Sequence, residues 1–205
     1  MFGKYSGIMN VMPSIIQSST DKVTIAANQQ ERPYTLIDCR KIPFSIAYYI
    51  VGFVDGEGSF NISLRKKEDY RTHWQPVLSF NVSQKDKTLL EIMRDIFNCG
   101  IIKRRRDGLY SYDVTNPIDL QTRIIPFFNK FRFLSEMKKV NYFLFTKAVQ
   151  IMMEKRHLTQ KGLHELLIIR EEINRGKGRK QKYTIQDVYK ESPTTIRQAP
   201  TLEKI

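Results

Sequence analysis

Two stretches of the chain alternate between apolar and polar residues, separated by a short polar segment. A period of two is typical of a β-strand with one buried face and one solvated face. Because the separating segment is short, we predict a pair of neighbouring antiparallel strands. The apolar residues that would share the buried face are Phe60, Ile62, Leu64, Leu78, Phe80 and Val82.

Apolar residues recur at helical spacing on both sides of this strand pair. After a first helix that precedes residue 56, further helices are predicted over residues 86–99, 118–128, 140–153 and 160–174. A second strand pair is predicted around Asp107-Gly108, a dipeptide that favours a type I′ hairpin.

The order of these elements is helix–strand–strand–helix–strand–strand–helix, one αββαββα unit. It predicts an α+β fold in which helices back an antiparallel sheet. We assign the folded domain to residues 44–178, an N-terminal extension to residues 1–43 and a basic C-terminal tail to residues 179–205. The longest apolar run is too short to cross a bilayer, so we expect no transmembrane segment.

The charge balance indicates the class of partner. The chain has 205 residues and a formal net charge of +13. Such an excess favours a polyanion, and nucleic acid is the commonest one. An anionic membrane surface is the alternative, but no strongly basic amphipathic helix with a continuous apolar face is evident.

The cysteines and histidines argue against zinc chemistry. Cys39 and Cys99 stand alone and far apart, which predicts reduced thiols in an intracellular protein. His73, His157 and His164 also lack the spacing of metal ligands.

The polar face of the predicted strands carries almost no acid. An ordinary solvated face is the alternative interpretation, but such a face mixes both charge signs. Amide, hydroxyl and cationic side chains are those that hydrogen-bond base edges and phosphates, so we predict a DNA-binding face. Its residues are Asn61, Ser63, Arg65, Lys67, Gln75, Ser79, Asn81, Lys103 and Arg105.

The segment "YYIVGFVDGEGSF", residues 48–60, joins the first helix to the first strand. The helix should run to about Asp55 and be stopped by Gly56 and Gly58. Asp55 and Glu57 therefore lie at the tip of the most hydrophobic segment of the chain. A glutamate that only caps a helix end would explain one acid but not its position between two glycines.

This segment resembles the signature of the LAGLIDADG homing endonucleases. The order of elements and the segment "SFNVSQKDK" match the same family. The segment "RHLTQKGL", which precedes a helix, resembles a segment of the family more loosely. The resemblance covers residues 44–178. It implies an antiparallel sheet shaped like a saddle, which binds DNA.

The resemblance also implies roles for the helix and its tip. Two such helices pack side by side in the family, and the matching interface residues here are Tyr49, Gly52, Phe53 and Gly56. Glu57 matches the acid that binds divalent metal, the Gly56 carbonyl is an added ligand, and Asp55 is structural. Hard oxygen ligands suit Mg²⁺, and we expect Ca²⁺ to support binding without cleavage.

Three more residues match family positions near the reacting phosphate. Gln84 matches a position beside the hydrolytic water, and Lys138 and Lys139 lie where the family places a base or charge stabiliser. The chain contains no second copy of the signature. We therefore expect a homodimer that binds a long pseudo-palindromic double-stranded target and hydrolyses one phosphodiester per strand, as an intron-homing endonuclease.

Two alternatives share the fold. One is an RNA maturase that aids group I intron splicing and binds the host intron RNA. The other is a DNA-binding protein that no longer cuts. The resemblance favours an intracellular protein in an organelle, a chloroplast or mitochondrion, with the bacterial cytoplasm as the alternative.

Overall fold

A computed structural model of the protein describes residues 35–70, 72–173 and 183–191. A 3₁₀ turn at Cys39–Lys41 precedes the first helix, and another, Arg156–Leu158, precedes α6. The strands are β1 (Gly58–Lys66), β2 (Trp74–Gln84), β3 (Ile101–Arg104) and β4 (Tyr110–Val114). The helices are α1 (Phe44–Glu57), α2 (Thr88–Phe97), α3 (Pro117–Asp119), a π-helical turn (Leu120–Ile124), α4 (Ile125–Lys130), α5 (Glu136–Met153), α6 (Gln160–Glu172) and α7 (Ile185–Glu191).

The four strands form one antiparallel sheet in the order β1-β2-β4-β3. Phe60 lies opposite Phe80, and Phe80 lies opposite Val114. Side chains of alternate residues point to opposite faces of a sheet, so these pairs align the apolar positions of three strands on one face. The predicted α+β class and the alternation of the strands are confirmed.

Aromatic rings fill the space between the apolar face and the helices. The rings of Phe60 and Phe80 stack with centroids 5.4 Å apart, and Phe128 of α4 meets both rings edge-on at 6.1 and 5.8 Å. Ala47, Ile50, Val51 and Val54 bury one side of α1 in the same core. Burial of these rings stabilises the fold beyond the area they cover, because edge-to-face pairs add about 0.5–1.5 kcal/mol each.

A second, smaller hydrophobic cluster lies where β1 ends and β2 begins. Trp74 is fully buried there against α6 and packs its ring on Tyr183 at 4.8 Å. Val188 of α7 is also fully buried in this cluster. The predicted C-terminal tail therefore contains a packed helix, α7, together with Tyr183. Ile37, Cys39 and Ile42 likewise pack against the main core from the predicted N-terminal extension.

Two local predictions were wrong. Gly56 does not stop α1, which continues to Glu57 and ends at Gly58, whose N–H donates to the Val54 carbonyl. A Cβ at Gly58 would lie 2.5 Å from Val54 Cγ1, so the close approach requires glycine. The turn before β4 is not type I′, because Gly108 has a positive φ (83°) but Asp107 does not. Gly108 N–H instead donates to the Arg105 carbonyl at 3.2 Å.

The first two helices predicted after β4 are longer than the sequence pattern indicated, whereas α6 ends at Glu172, two residues earlier than predicted. Helical backbone is continuous from Pro117 to Lys130, and α5 begins at Glu136. Asn116 caps α3 by accepting a hydrogen bond from Ile118 N–H, and Thr159 caps α6 as expected. No helix among the residues that the structure describes has both the length and the apolarity that a bilayer crossing requires.

Candidate active site and nucleic-acid interface

The tip of α1 presents one free carboxylate. Glu57 is the last residue of the helix, and β1 begins at the next residue without an intervening loop. The Glu57 side chain is exposed and has no hydrogen-bond or ion-pair partner among the residues that the structure describes. A carboxylate at this helix–strand junction is available to bind a cation or a polar ligand.

The two neighbouring lysines of α5 have different environments. Lys138 is only 6% exposed, and its Nζ donates to the Gly58 carbonyl at 2.6 Å, one residue from Glu57. Lys139 is exposed and pairs with Glu136 at 2.8 Å. The structure thus brings Lys138 to the tip of α1 and turns Lys139 to solvent.

Asp55 joins the end of α1 to the start of α5. Its carboxylate accepts a hydrogen bond from Ser135 N–H at 3.1 Å and another from the Ser135 hydroxyl. Ser135 is the N-cap residue of α5, and Lys138 follows within the first turn. This contact holds the first turn of α5, and hence Lys138, against the tip of α1. Ser135 could not be identified from sequence, since nothing local relates it to a residue 80 positions earlier.

We expect Asp55→Asn to lower the free energy of unfolding by about 1–2 kcal/mol, since the amide replaces a charged acceptor of two hydrogen bonds. Thermal denaturation of the purified variant measures this. Asp95→Asn is the matched control, because Asp95 is exposed on α2 and pairs with its neighbour Arg94. Equal stability losses in both variants would contradict a structural role for Asp55.

Gln84 ends β2 beside the same tip. The β1–β2 pairing places Gly58 opposite Val82, and two further residues along β2 reach Gln84. The pairing, if extended, would set Gln84 level with Gly56. Its side-chain oxygen accepts a hydrogen bond from Lys85 N–H at 2.9 Å, which leaves the amide N–H₂ group as a donor.

The donor chemistry at the tip fits a hard divalent cation. Among the described residues no group of three or more His, Cys, Asp or Glu side chains is placed to hold a metal ion. One chain could offer a cation the Glu57 carboxylate and the Gly56 carbonyl, which lies in the last helical turn, where carbonyls lack partners within the helix. Mg²⁺ can bind with so few protein ligands, because waters and phosphate oxygens usually fill its other coordination positions.

The strand residues of the predicted DNA-binding face share one face of the sheet, opposite the helices. The register pairs Asn61 with Ser79 and Arg65 with Gln75 across β1 and β2. Asn81 and Ser63 occupy the same face by alternation, and Lys103 joins them from β3. We call this surface the polar face.

Lys67 and Arg105 lie just beyond the strand ends. The Lys67 ammonium lies 5.4 Å from the ring centroid of Tyr70. The Arg105 guanidinium donates to Ser83 Oγ at 3.2 Å and pairs with Asp107 at 2.8 Å. Ser83 lies two residues after Asn81 on β2 and therefore on the polar face, so Arg105 reaches that face from the β3–β4 turn.

The register adds residues that the sequence analysis missed. The third and fourth strands are short, so their alternation is too brief to distinguish the two faces from sequence alone. The added residues of the polar face are Ser59, Ser83, Ile101, Ser111 and Asp113.

The outer side of α1 is apolar and uncovered in a single chain. Tyr49 is 64% exposed, Phe53 is half-buried, and Gly52 and Gly56 are exposed. A Cβ added at either glycine would meet nothing within 4 Å. Large rings beside small residues at helical spacing form a flat strip against which another helix could pack closely.

Comparisons with known proteins agree with these features. A family model described as LAGLIDADG endonuclease matches residues 50–149. The "Probable intron-encoded endonuclease 2" of Neurospora crassa is 31% identical over 159 residues, which cover 72% of this chain and 35% of the relative. The chain spans 24–35% of the length of three curated relatives that it matches.

Solved structures resemble the fold as well. The I-SmaMI LAGLIDADG homing endonuclease bound to cleaved DNA is 37% identical with a TM-score of 0.61, covering 63% of this chain and 44% of that one. The homing endonuclease I-TnaI is 30% identical with a TM-score of 0.60, covering 63% of this chain and 88% of that one.

Proposed function

The chain belongs to the LAGLIDADG family of homing endonucleases, and we propose that it is a site-specific endonuclease of double-stranded DNA. The observation that carries this proposal is the free Glu57 carboxylate, held beside the buried Lys138 at the tip of α1. The structure of I-SmaMI on cleaved DNA supports the choice of DNA as substrate.

The DNA lies across the polar face in this proposal. A twisted antiparallel ribbon fits the major groove, where base edges carry a distinct pattern of donors and acceptors. Asn61, Gln75 and Asn81 offer amides to bases, and Arg65 and Lys103 offer cations to bases or phosphates. The net charge of +13 attracts the duplex and makes the affinity fall with salt.

The chemistry is phosphodiester hydrolysis assisted by a divalent metal, for which we propose Mg²⁺. Glu57 and the Gly56 carbonyl would hold the ion, which when bound acts as a Lewis acid and lowers the pKa of water. Gln84 orients the attacking water through its amide, and Lys138 places a positive charge beside the phosphate. Ca²⁺ is proposed to support binding without cleavage.

A second copy of the chain completes the site. One carboxylate per chain cannot serve both strands of a duplex, whereas a two-fold pair supplies one to each strand. The outer side of α1 is the proposed contact, through Tyr49, Gly52, Phe53 and Gly56. The target is then long and pseudo-palindromic, because its symmetry mirrors that of the protein.

We expect Gly52→Leu to separate the pair. A Cβ at Gly52 meets nothing within 4 Å in the free chain, so we expect thermal stability to be kept while the close helix contact is lost. Sedimentation with target duplex should give two chains for the wild type and one for the variant. Lys161→Leu, at an exposed position of α6, is the control and should remain paired. A wild-type chain that cuts both strands as a monomer would overturn the dimer.

Cleavage of the intronless allele of the host gene tests the function itself. A linear duplex spanning the insertion point should be cut with Mg²⁺ and left intact with EDTA. A chain that binds intron RNA and promotes splicing without cutting this duplex would instead be a maturase. A chain that binds the duplex without cutting it would be a DNA-binding protein. The relative from Neurospora crassa is named as intron-encoded, which supports an intron-borne gene, and an organelle is the compartment that we propose.

A further inference from the structure

Four residues form a row across the polar face, one from each strand. Ser59 lies opposite Asn81, Asn81 opposite Asp113, and Asp113 opposite Ile101. Adjacent strands lie about 4.8 Å apart, so the row spans the width of the sheet. It begins two residues after Glu57, near the tip of α1.

Asp113 is the exception in this row, because it brings a carboxylate to a cationic surface. It is half-buried, and Ser111 Oγ donates to it at 2.9 Å. No ion pair joins Asp113 to a lysine or arginine in the part of the chain that the structure describes. The nearby Arg105 pairs with Asp107 instead. Asp113 is therefore not neutralised by the surrounding cations.

An unpaired carboxylate facing DNA repels phosphates, so it weakens binding unless a base donates a hydrogen bond to it. In the major groove only the amino groups of cytosine and adenine donate. The adenine amino group stands beside N7, an acceptor that repels a carboxylate, whereas the cytosine amino group stands beside the apolar C5 edge.

The neighbours of Asp113 fit cytosine. Ile101 is 52% exposed on the adjacent strand, where it can contact the C5 edge of a pyrimidine. The hydrogen bond from the buried Ser111 fixes one carboxylate oxygen and leaves the other to accept from a base. Asn81, on the other side, supplies an amide that can donate to the acceptors of a guanine.

We propose that Asp113 is a specificity-determining residue that selects cytosine at one base pair in each half of the target. The proposal rests on the proposed DNA function and adds a base and a residue to it. Because the row lies next to Glu57, the selected pair lies in the inner part of each half-site.

To test this proposal, the full chain and its variants are each allowed to bind a pool of randomised duplexes in Ca²⁺, and the bound duplexes are sequenced. Wild-type protein should enrich cytosine at one inner position of each half-site. Asp113→Asn should change that preference to adenine, because an amide pairs with adenine N6 and N7. Measured on single-position duplexes, Asp113→Ala should lose about tenfold in affinity for the cytosine site and discriminate less at that position.

Asp95→Asn removes the same charge from exposed α2 and is the control. It should leave the preference at every position unchanged. If Asp113→Asn cuts and selects the same sites as wild type, or if Asp113→Ala binds all duplexes more tightly without a change of preference, the inference is overturned. Wild-type protein that selects no sequence overturns the proposed function and the inference together.

Discussion

Replacing Glu57 with glutamine is expected to reduce DNA cleavage by at least about 100-fold. Glutamine keeps the size and hydrogen-bonding shape of glutamate but removes the charge that would hold a divalent cation. Binding should stay within about tenfold of wild type, or 1.4 kcal/mol, because the proposed DNA contacts are made by the polar face, which does not include Glu57. Binding can even become tighter without metal, since a carboxylate close to phosphates is repulsive.

A gel-shift titration in Ca²⁺ and a cleavage time course in Mg²⁺, on one labelled duplex, separate the two effects. Glu136→Gln is the matched control, since Glu136 is 84% exposed at the start of α5 and pairs with Lys139. It should cut within about threefold of wild type, because an exposed ion pair contributes little. Cleavage by Glu57→Gln at near the wild-type rate would refute a metal-binding role for Glu57.

Replacing Lys138 with methionine is expected to reduce cleavage by about 100-fold, whereas Lys139→Met should have little effect. The amino group of Lys138 is buried and donates to the Gly58 carbonyl, so it is held in one position near Glu57. Lys139 extends into solvent toward Glu136. The pair therefore differs in environment although the residues are adjacent in sequence.

Lys138→Met also removes a donor from a buried carbonyl, which should lower the free energy of unfolding by about 1–3 kcal/mol. Thermal denaturation and the affinity in Ca²⁺ show whether the variant is folded and bound under the conditions of the cleavage assay. When all of the DNA is bound by protein, we expect the loss of activity in Lys138→Met to appear in the rate of cleavage and not in the affinity. Equal losses of rate in both lysine variants would contradict the distinction.

The two faces of β1 and β2 could be predicted from sequence because their signal is local. Phe60, Ile62 and Leu64 alternate with polar residues along one continuous segment, and their buried face follows from that period alone. The free acid at the end of an apolar helix was also visible, since Glu57 and its glycines are consecutive. These features depend on neighbours a few residues away.

The remaining features depend on contacts between distant segments. Nothing in the local sequence distinguishes Lys138 from Lys139, because only the docking of α5 on Gly58 decides which side chain is buried. The same holds for Ser135, which meets an acid 80 positions earlier. The position of Asp113 on the polar face depends on the order and register of the strands, which bring together segments far apart in the chain.

The class of the fold, its family and the position of the acid at the helix tip follow from the sequence, because periodicity and a contiguous motif encode them. Three features depend on the folded arrangement instead: which lysine lies at the tip, which acid faces the proposed DNA, and the packing of Tyr183 and α7 in the cluster of Trp74. Those outcomes are set by the packing of elements that are far apart in the chain, and a side chain's burial and partners follow from that packing.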